Sequence, residues 1–76
     1  ERMIETRLKR IRNNPNLTPA ERTVAYWLSC GYTDLQIAAV SHRSERTVKA
    51  HVHNIKQKLF AKNRVLLALK LHGVHI

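Results

Sequence analysis

A chain of 76 residues has room for one small domain, which excludes a large catalytic scaffold. Hydrophobic residues make up 43% of it and charged residues 25%, so neither a collagen-like nor a wholly disordered chain is indicated. Fourteen Lys or Arg against five Asp or Glu leave a formal charge of +9, and an excess of that size points to an anionic partner.

The charge is unevenly spread. Glu45 is the last acid, and beyond it Arg46, Lys49, Lys56, Lys58, Lys62, Arg64 and Lys70 stand unopposed. The C-terminal half is therefore the expected binding half, toward nucleic acid or a membrane surface. Cys30 is a single cysteine and cannot close an intrachain disulfide, which fits a reducing compartment such as the cytoplasm. No metal or other cofactor is expected. His51 and His53, two apart, point to different helix faces, and His72 and His75 straddle Gly73 with no Cys or carboxylate beside them. No apolar run approaches the ~20 residues of a membrane-spanning helix, and the N-terminus lacks the layout of a signal peptide. A soluble protein is expected, and the opening at Glu1 without Met suits a piece of a longer chain.

In chain order, Ile4, Leu8 and Ile11 form a narrow apolar stripe at helical spacing, so residues 1–12 predict a short amphipathic helix. It stops at Asn13-Asn14-Pro15-Asn16, which makes residues 1–16 a helical linker segment and 17–76 the domain proper. Thr18-Pro19-Ala20-Glu21 is a strong start signal: Thr18 can cap, Pro19 fits the first helical position, and Glu21 can bond back to the cap. Val24, Ala25, Trp27 and Leu28 supply its buried side, Cys30 reads as a small packed residue, and Gly31 ends the helix in the left-handed region.

Thr33-Asp34-Leu35-Gln36 repeats the capping-box spacing and opens a short helix that ends near Ser41, followed by a tight bend. Ser44 then caps a helix from Glu45 to about Leu59, with Glu45 at the positive end of the dipole. No strand pattern appears, so the expected class is all-α.

The helix over 45–59 has two faces. At about 100° per residue, Val52, Ile55 and Leu59 fall within roughly 40° of Val48, which makes that side core. Arg46, Lys49, His53 and Gln57 spread over roughly 80° on the opposite side, with Ala50 and Lys56 at its margins. Such a surface suits the DNA major groove, whose base-edge acceptors Lys, Arg and Gln can reach, while Ala50 lets the backbone sit close and can touch a thymine methyl. Asn54 and Lys58 lie on a flank suited to phosphate. Two short helices about a tight bend, the second basic on its open face, make a helix-turn-helix.

From Leu17 to about His72 the chain resembles the LuxR/FixJ-type (NarL-like, GerE-like) DNA-binding domain of bacterial transcription regulators, a four-helix bundle built around a helix-turn-helix. The resemblance is carried by Leu17-Thr18-Pro19 with Glu21-Arg22, Gly31 with Ile37-Ala38, Ser44-x-x-Thr47-Val48-Lys49-x-His51-Val52, Ile55-x-x-Lys58-Leu59 and Asn63-Arg64, in order over about 55 residues. It implies that Glu45 to Leu59 is the recognition helix, with Lys49, Ala50 and His53 at base-contact positions and Thr47 and Lys58 at phosphate positions. Arg46 and Gln57 complete the expected base-reading set, and Lys56, Arg43 and Ser44 the expected phosphate set. His51 falls at the edge of the core and reads as a packing residue. The chain departs from the pattern at Ser41 and Arg43, polar where the turn usually has apolar residues, and at Phe60, where a small residue is usual.

Asn63 can cap a last helix from Arg64 to about His72, with Gly73 just past its end. Val65, Leu66, Leu67, Ala68, Leu69 and Leu71 surround most of its circumference, so it must bury more than one side. One side packs on its own bundle, and Val65, Leu66 and Leu69 are expected to meet a second copy, as a homodimer or heterodimer, or else another domain of the full protein.

The expected function is sequence-specific binding of double-stranded DNA by the effector domain of a transcription regulator, with RNA polymerase as a further partner and no enzymatic activity. The alternative is a protein-interaction or heterodimerisation module whose DNA specificity comes from a partner. A membrane-surface helix is disfavoured because the apolar face of 45–59 is needed in the bundle. RNA is disfavoured because Tyr26, Trp27, Tyr32 and Phe60 form no exposed stacking row.

Overall fold

The computed structural model describes Ile11 and residues 14–72. The predicted helix over 1–12 lies outside the described residues except for Ile11, which is helical and buried in the core. Among the described residues there are four helices and no strand: α1 Pro19–Ser29, α2 Asp34–Ser41, α3 Glu45–Lys58 and α4 Arg64–Leu71. None is long and apolar enough to cross a membrane.

Each helix starts where its cap residue stands. Thr18 Oγ1 accepts the Glu21 N–H at 3.2 Å while a Glu21 carboxylate oxygen accepts the Thr18 N–H at 2.9 Å, and Thr33 and Gln36 repeat the same pair of bonds. The Ser44 hydroxyl accepts the Thr47 N–H, and Asn63 Oδ1 accepts the Leu66 N–H. These bonds satisfy donors that every helix leaves without intrahelical partners.

α1 is the central element, packed against α2, α3 and α4, and α3 packs against both α1 and α2. Val24, Ile37, Val48, Ile55 and Leu67 are the largest fully buried side chains, so each helix contributes at least one. Each gains about 1.5–3 kcal/mol from leaving water, which makes α3 inseparable from its neighbours. Tyr26 and Tyr32 pack on Trp27 with ring centroids 5.0 and 4.9 Å away.

Cys30 departs from its expected role. Its backbone N–H returns to the Tyr26 and Trp27 carbonyls at the end of α1, but the residue is exposed rather than packed. The chain has to leave the bundle surface there to turn through Gly31, at φ 90°.

Two further bends use left-handed residues that are not glycine. His42, at φ 55°, closes α2, with the Arg43 N–H donating to the Ala38 carbonyl at 3.0 Å. Phe60, at φ 56°, closes α3, with its own N–H on the Gln57 carbonyl and the Ala61 N–H on the Lys56 carbonyl. This is a Schellman ending in which phenylalanine stands where glycine is usual. Lys70 reaches back from α4, and its ammonium donates to the Leu59 and Phe60 carbonyls at 2.9 and 3.0 Å. Phe60 itself is 86% exposed, so its side chain gains little in return for the strained backbone. Phe60→Gly is expected to raise the free energy of unfolding by about 0.5–1 kcal/mol, the left-handed penalty less the extra freedom of an unfolded glycine. Urea unfolding of the two chains measures it, and an unchanged or lower stability would contradict the account.

Candidate nucleic-acid interface

The two faces of α3 separate as its spacing predicts. Val48, Val52 and Ile55 are buried, and Arg46, Lys49, Ala50, His53 and Gln57 are all exposed together on the other side. His51 is half-buried at the boundary. At 1.5 Å per residue the open face from Arg46 to Gln57 is about 16 Å long, comparable with the reach of a helix laid across a major groove.

Ser44 and Thr47 are exposed at the N-terminal end of α3, with the Ser44 hydroxyl 2.8 Å from the Thr47 hydroxyl. Arg43 precedes them, half-buried in the bend. Ser41, the other polar residue of this turn, directs its hydroxyl to the Ile37 carbonyl at 2.6 Å, so it closes α2 and does not face outward as a free donor. Lys56 is half-buried at the margin of the open face.

Lys58, expected at a phosphate position, forms an ion pair within the domain. Its ammonium lies 2.6 Å from a carboxylate oxygen of Glu21, which is only 3% exposed. The same oxygen accepts the Thr18 N–H, so a single atom holds the start of α1 and the end of α3. Burial alone raises the Glu21 pKa, but the Lys58 hydrogen bond and charge, with the Thr18 bonds, outweigh it and hold the carboxyl below its ordinary value. A second ion pair joins Arg64 at the start of α4 to Asp34 at the start of α2, and Arg64 also donates to the Tyr32 carbonyl. Both pairs were invisible to sequence reasoning, because their partners are 37 and 30 residues apart and no local spacing links them. The contact between His53 and Gln57 was also missed, although their spacing of four residues was a usable signal.

On α4, Leu67 and Leu71 are buried, whereas Val65 is 69% and Leu69 38% exposed, with Leu66 half-buried. Val65 and Leu69 line a shallow groove of about 360 Å³ together with Leu28, Tyr32, Ala68 and His72. His72 closes its end by placing Nε2 2.6 Å from the Ser29 carbonyl.

This arrangement, a basic exposed helix face following a capped short helix and a left-handed bend, agrees with a family match. Residues 15–71 fit the family of bacterial regulatory proteins of the LuxR type, also called GerE. The chain belongs to the LuxR family. It is therefore a helix-turn-helix DNA-binding domain of the kind found in bacterial transcription regulators, and not an enzyme.

This LuxR-family domain is 41% identical over 58 residues to the transcriptional activator protein SolR of Ralstonia solanacearum, covering 76% of this chain and 25% of that protein. It is 44% identical over 57 residues to the probable transcriptional regulatory protein SgaR of Hyphomicrobium methylovorum, covering 75% of this chain and 26% of that protein. Over 49 residues it is 43% identical to the nitrate/nitrite response regulator protein NarP of Escherichia coli K12, covering 64% and 23%. The chain thus spans about a quarter of the length of these relatives. No solved structure gives a significant match.

The Glu21–Lys58 contact gives a test with a defined sign. A carboxyl whose pKa is depressed by folding stabilises above its unfolded value, roughly 4.3, and loses that contribution as the pH falls through the folded value. Lys58→Ala is expected to cost about 1.5–3 kcal/mol at neutral pH, the usual worth of a hydrogen bond to a charged group. The deficit should shrink on acidification, once Glu21 protonates in both chains. Urea unfolding across the acid range checks this, and a deficit independent of pH would remove the ion pair from the explanation.

Proposed function

We propose that this domain reads double-stranded DNA by seating the open face of α3 in the major groove, with Arg46, Lys49, Ala50 and His53 toward base edges. The observation that carries the reading is the joint exposure of those four side chains on a helix whose opposite face is fully engaged in the core. Lys and Arg find guanine O6 and N7 there, and the small Ala50 admits close approach of the backbone. Ser44, Thr47, Arg43 and Lys56 flank that face and serve phosphate, which fixes register without reading sequence. Lys58 holds α3 on α1 through Glu21 and, still partly exposed, serves phosphate with a remaining donor. Among the described residues Glu45 is the acid nearest the reading face, and it lies at the helix start, where the dipole favours it.

The test is selection from a randomised double-stranded DNA pool at two salt concentrations, followed by sequencing. A recovered motif is expected; salt-sensitive retention with no motif would favour a module whose specificity comes from another protein. On the recovered motif, Lys49→Ala should lose about 1–3 kcal/mol and relax one base position. Lys56→Ala should instead weaken all sequences alike and lower the salt slope by about one.

We further propose that Val65 and Leu69, with half-buried Leu66, pair this domain with a second copy on two half-sites. Support comes from the exposed apolar groove along α4, on a domain too small to leave such surface uncovered without consequence. A regulator of this kind works in the cytoplasm, on chromosomal DNA, with RNA polymerase as its downstream partner. Leu69→Asp is expected to weaken binding to a two-half-site sequence at least about tenfold while sparing a single half-site, because the centre-to-centre spacing of one turn requires both copies. Equal binding to both probes would argue against the pair.

A further inference from the structure

α4 carries the apolar face proposed to pair two copies, and α3 carries the face proposed to read DNA. α4 packs on α1, where it buries Leu67 and Leu71, and His72 adds a bond to the Ser29 carbonyl, again toward α1. Apolar burial is non-directional, so it holds α4 in the bundle without by itself fixing the angle to α3. Hydrogen bonds weaken steeply with angle and do fix it. Two cations of α4 supply such bonds. Near its end, the Lys70 ammonium donates to the Leu59 and Phe60 carbonyls, where α3 stops. At its start, the Arg64 guanidinium donates to the Asp34 carboxylate and the Tyr32 carbonyl, where α2 begins. The direction of these bonds is settled by chemistry, since neither cation can accept. Along about 9 Å of helix, α4 is therefore tied at both ends to the helix-turn-helix.

We infer that Lys70 and Arg64 are positioning residues that select the half-site spacing: by locking α4 to the helix-turn-helix, they fix how far apart and at what angle two paired copies present α3. In a two-fold pair both copies use the same contact, so a rotation of α4 against α3 is doubled between the two reading helices. One base pair of spacer turns a half-site by about 35° and moves it about 3.4 Å along the axis. A freedom of about 15° in each copy, acting over the roughly 10 Å between packed helix axes, gives about 30° and several ångströms between the reading helices. That spans one base-pair step. With both cations in place the pair accepts one spacing, and with either released it accepts the neighbours as well. Neither residue lies on the open face of α3, so the bases read within each half-site stay the same. The inference rests on the readings of α3 as the recognition helix and of α4 as the pairing helix.

The experiment measures binding of the whole 76-residue chain and its variants to a single half-site and to paired half-sites whose spacer is varied one base pair at a time. The natural chain should prefer one spacer over its neighbours by about tenfold. In Lys70→Met that preference should fall to about twofold, while affinity for the single half-site stays within about twofold. Lys70→Arg, which keeps a cationic donor, should retain the natural preference. Asp34→Ala, which releases one bond of Arg64 without altering α4, should broaden the spacing in the same way, and it carries the test if Lys70→Met does not fold. An unchanged spacer preference in folded Lys70→Met, or in Asp34→Ala where it stands in, would overturn the inference and leave the pairing intact. An equal loss on every probe, the single half-site included, would overturn it too, since that marks a destabilised domain and not a released angle. Equal binding of the natural chain to single and paired half-sites would overturn the pairing and this inference with it.

Discussion

The rest of the domain depends on how one buried carboxylate is satisfied. Glu21 is almost fully withdrawn from water, a state that is costly for a charged group unless it is paired and hydrogen-bonded. It finds two donors at one oxygen: the Thr18 N–H, which starts α1, and the Lys58 ammonium, which ends α3. Because Lys58 is turned inward by this bond, helical geometry sends other positions of α3 outward. Nine residues back, Lys49 lies about 180° around the helix from Lys58, and His53, five residues back, about 140°. The ion pair thus helps set the rotation at which α3 presents its reading face, although neither partner is on that face.

The same economy governs the charge of the molecule. Of the acids at positions 21, 34 and 45, the first is taken by Lys58, the second by Arg64, and the third sits at the start of α3. Two basic residues of the C-terminal half, Lys58 and Arg64, are therefore paired with acids, and the positive field is left to the others, chiefly Arg46, Lys49, Lys56 and Lys62. At moderate salt the field of exposed charges fades over about 10 Å, so proximity along α3 matters more than the net charge of the whole chain. Arg46 to Lys56 spans about 15 Å of helix, short enough for these cations to act on one stretch of DNA.

The bends carry the remaining strain. A left-handed conformation in residues other than glycine costs roughly 1–2 kcal/mol, and it persists only where the surroundings over-determine it. At His42 the compensation is the return of the Arg43 N–H to α2, and at Phe60 it is two backbone bonds plus the Lys70 ammonium on two carbonyls. Lys70 therefore couples α4 to the end of α3 through hydrogen bonds, where apolar packing between those two helices is slight. The departure from the family pattern at Phe60 is accommodated by this cation and by leaving the ring in solvent.

What the sequence determined by itself was chiefly the features governed by short spacing. Thr18 with Glu21, Thr33 with Gln36, Ser44 and Asn63 announced the helix starts, because a cap bonds within three residues. The 100° step sorted Val48, Val52 and Ile55 from Lys49 and His53, because a helix fixes relative direction without knowing its neighbours. Exposure was less legible. In α2 the five apolar residues surround the helix, so no stripe distinguished buried Ile37 and Ala38 from exposed Leu35 and Val40, whereas in α4 Val65 and Leu69, expected to face away from the bundle, are exposed. Cys30 read as packed because its position in the chain says nothing of where α1 leaves the bundle. Only the tertiary structure decided that Lys58 serves Glu21 and that Arg64 serves Asp34, since attraction between charges depends on distance in space and those partners lie more than two dozen residues apart in sequence.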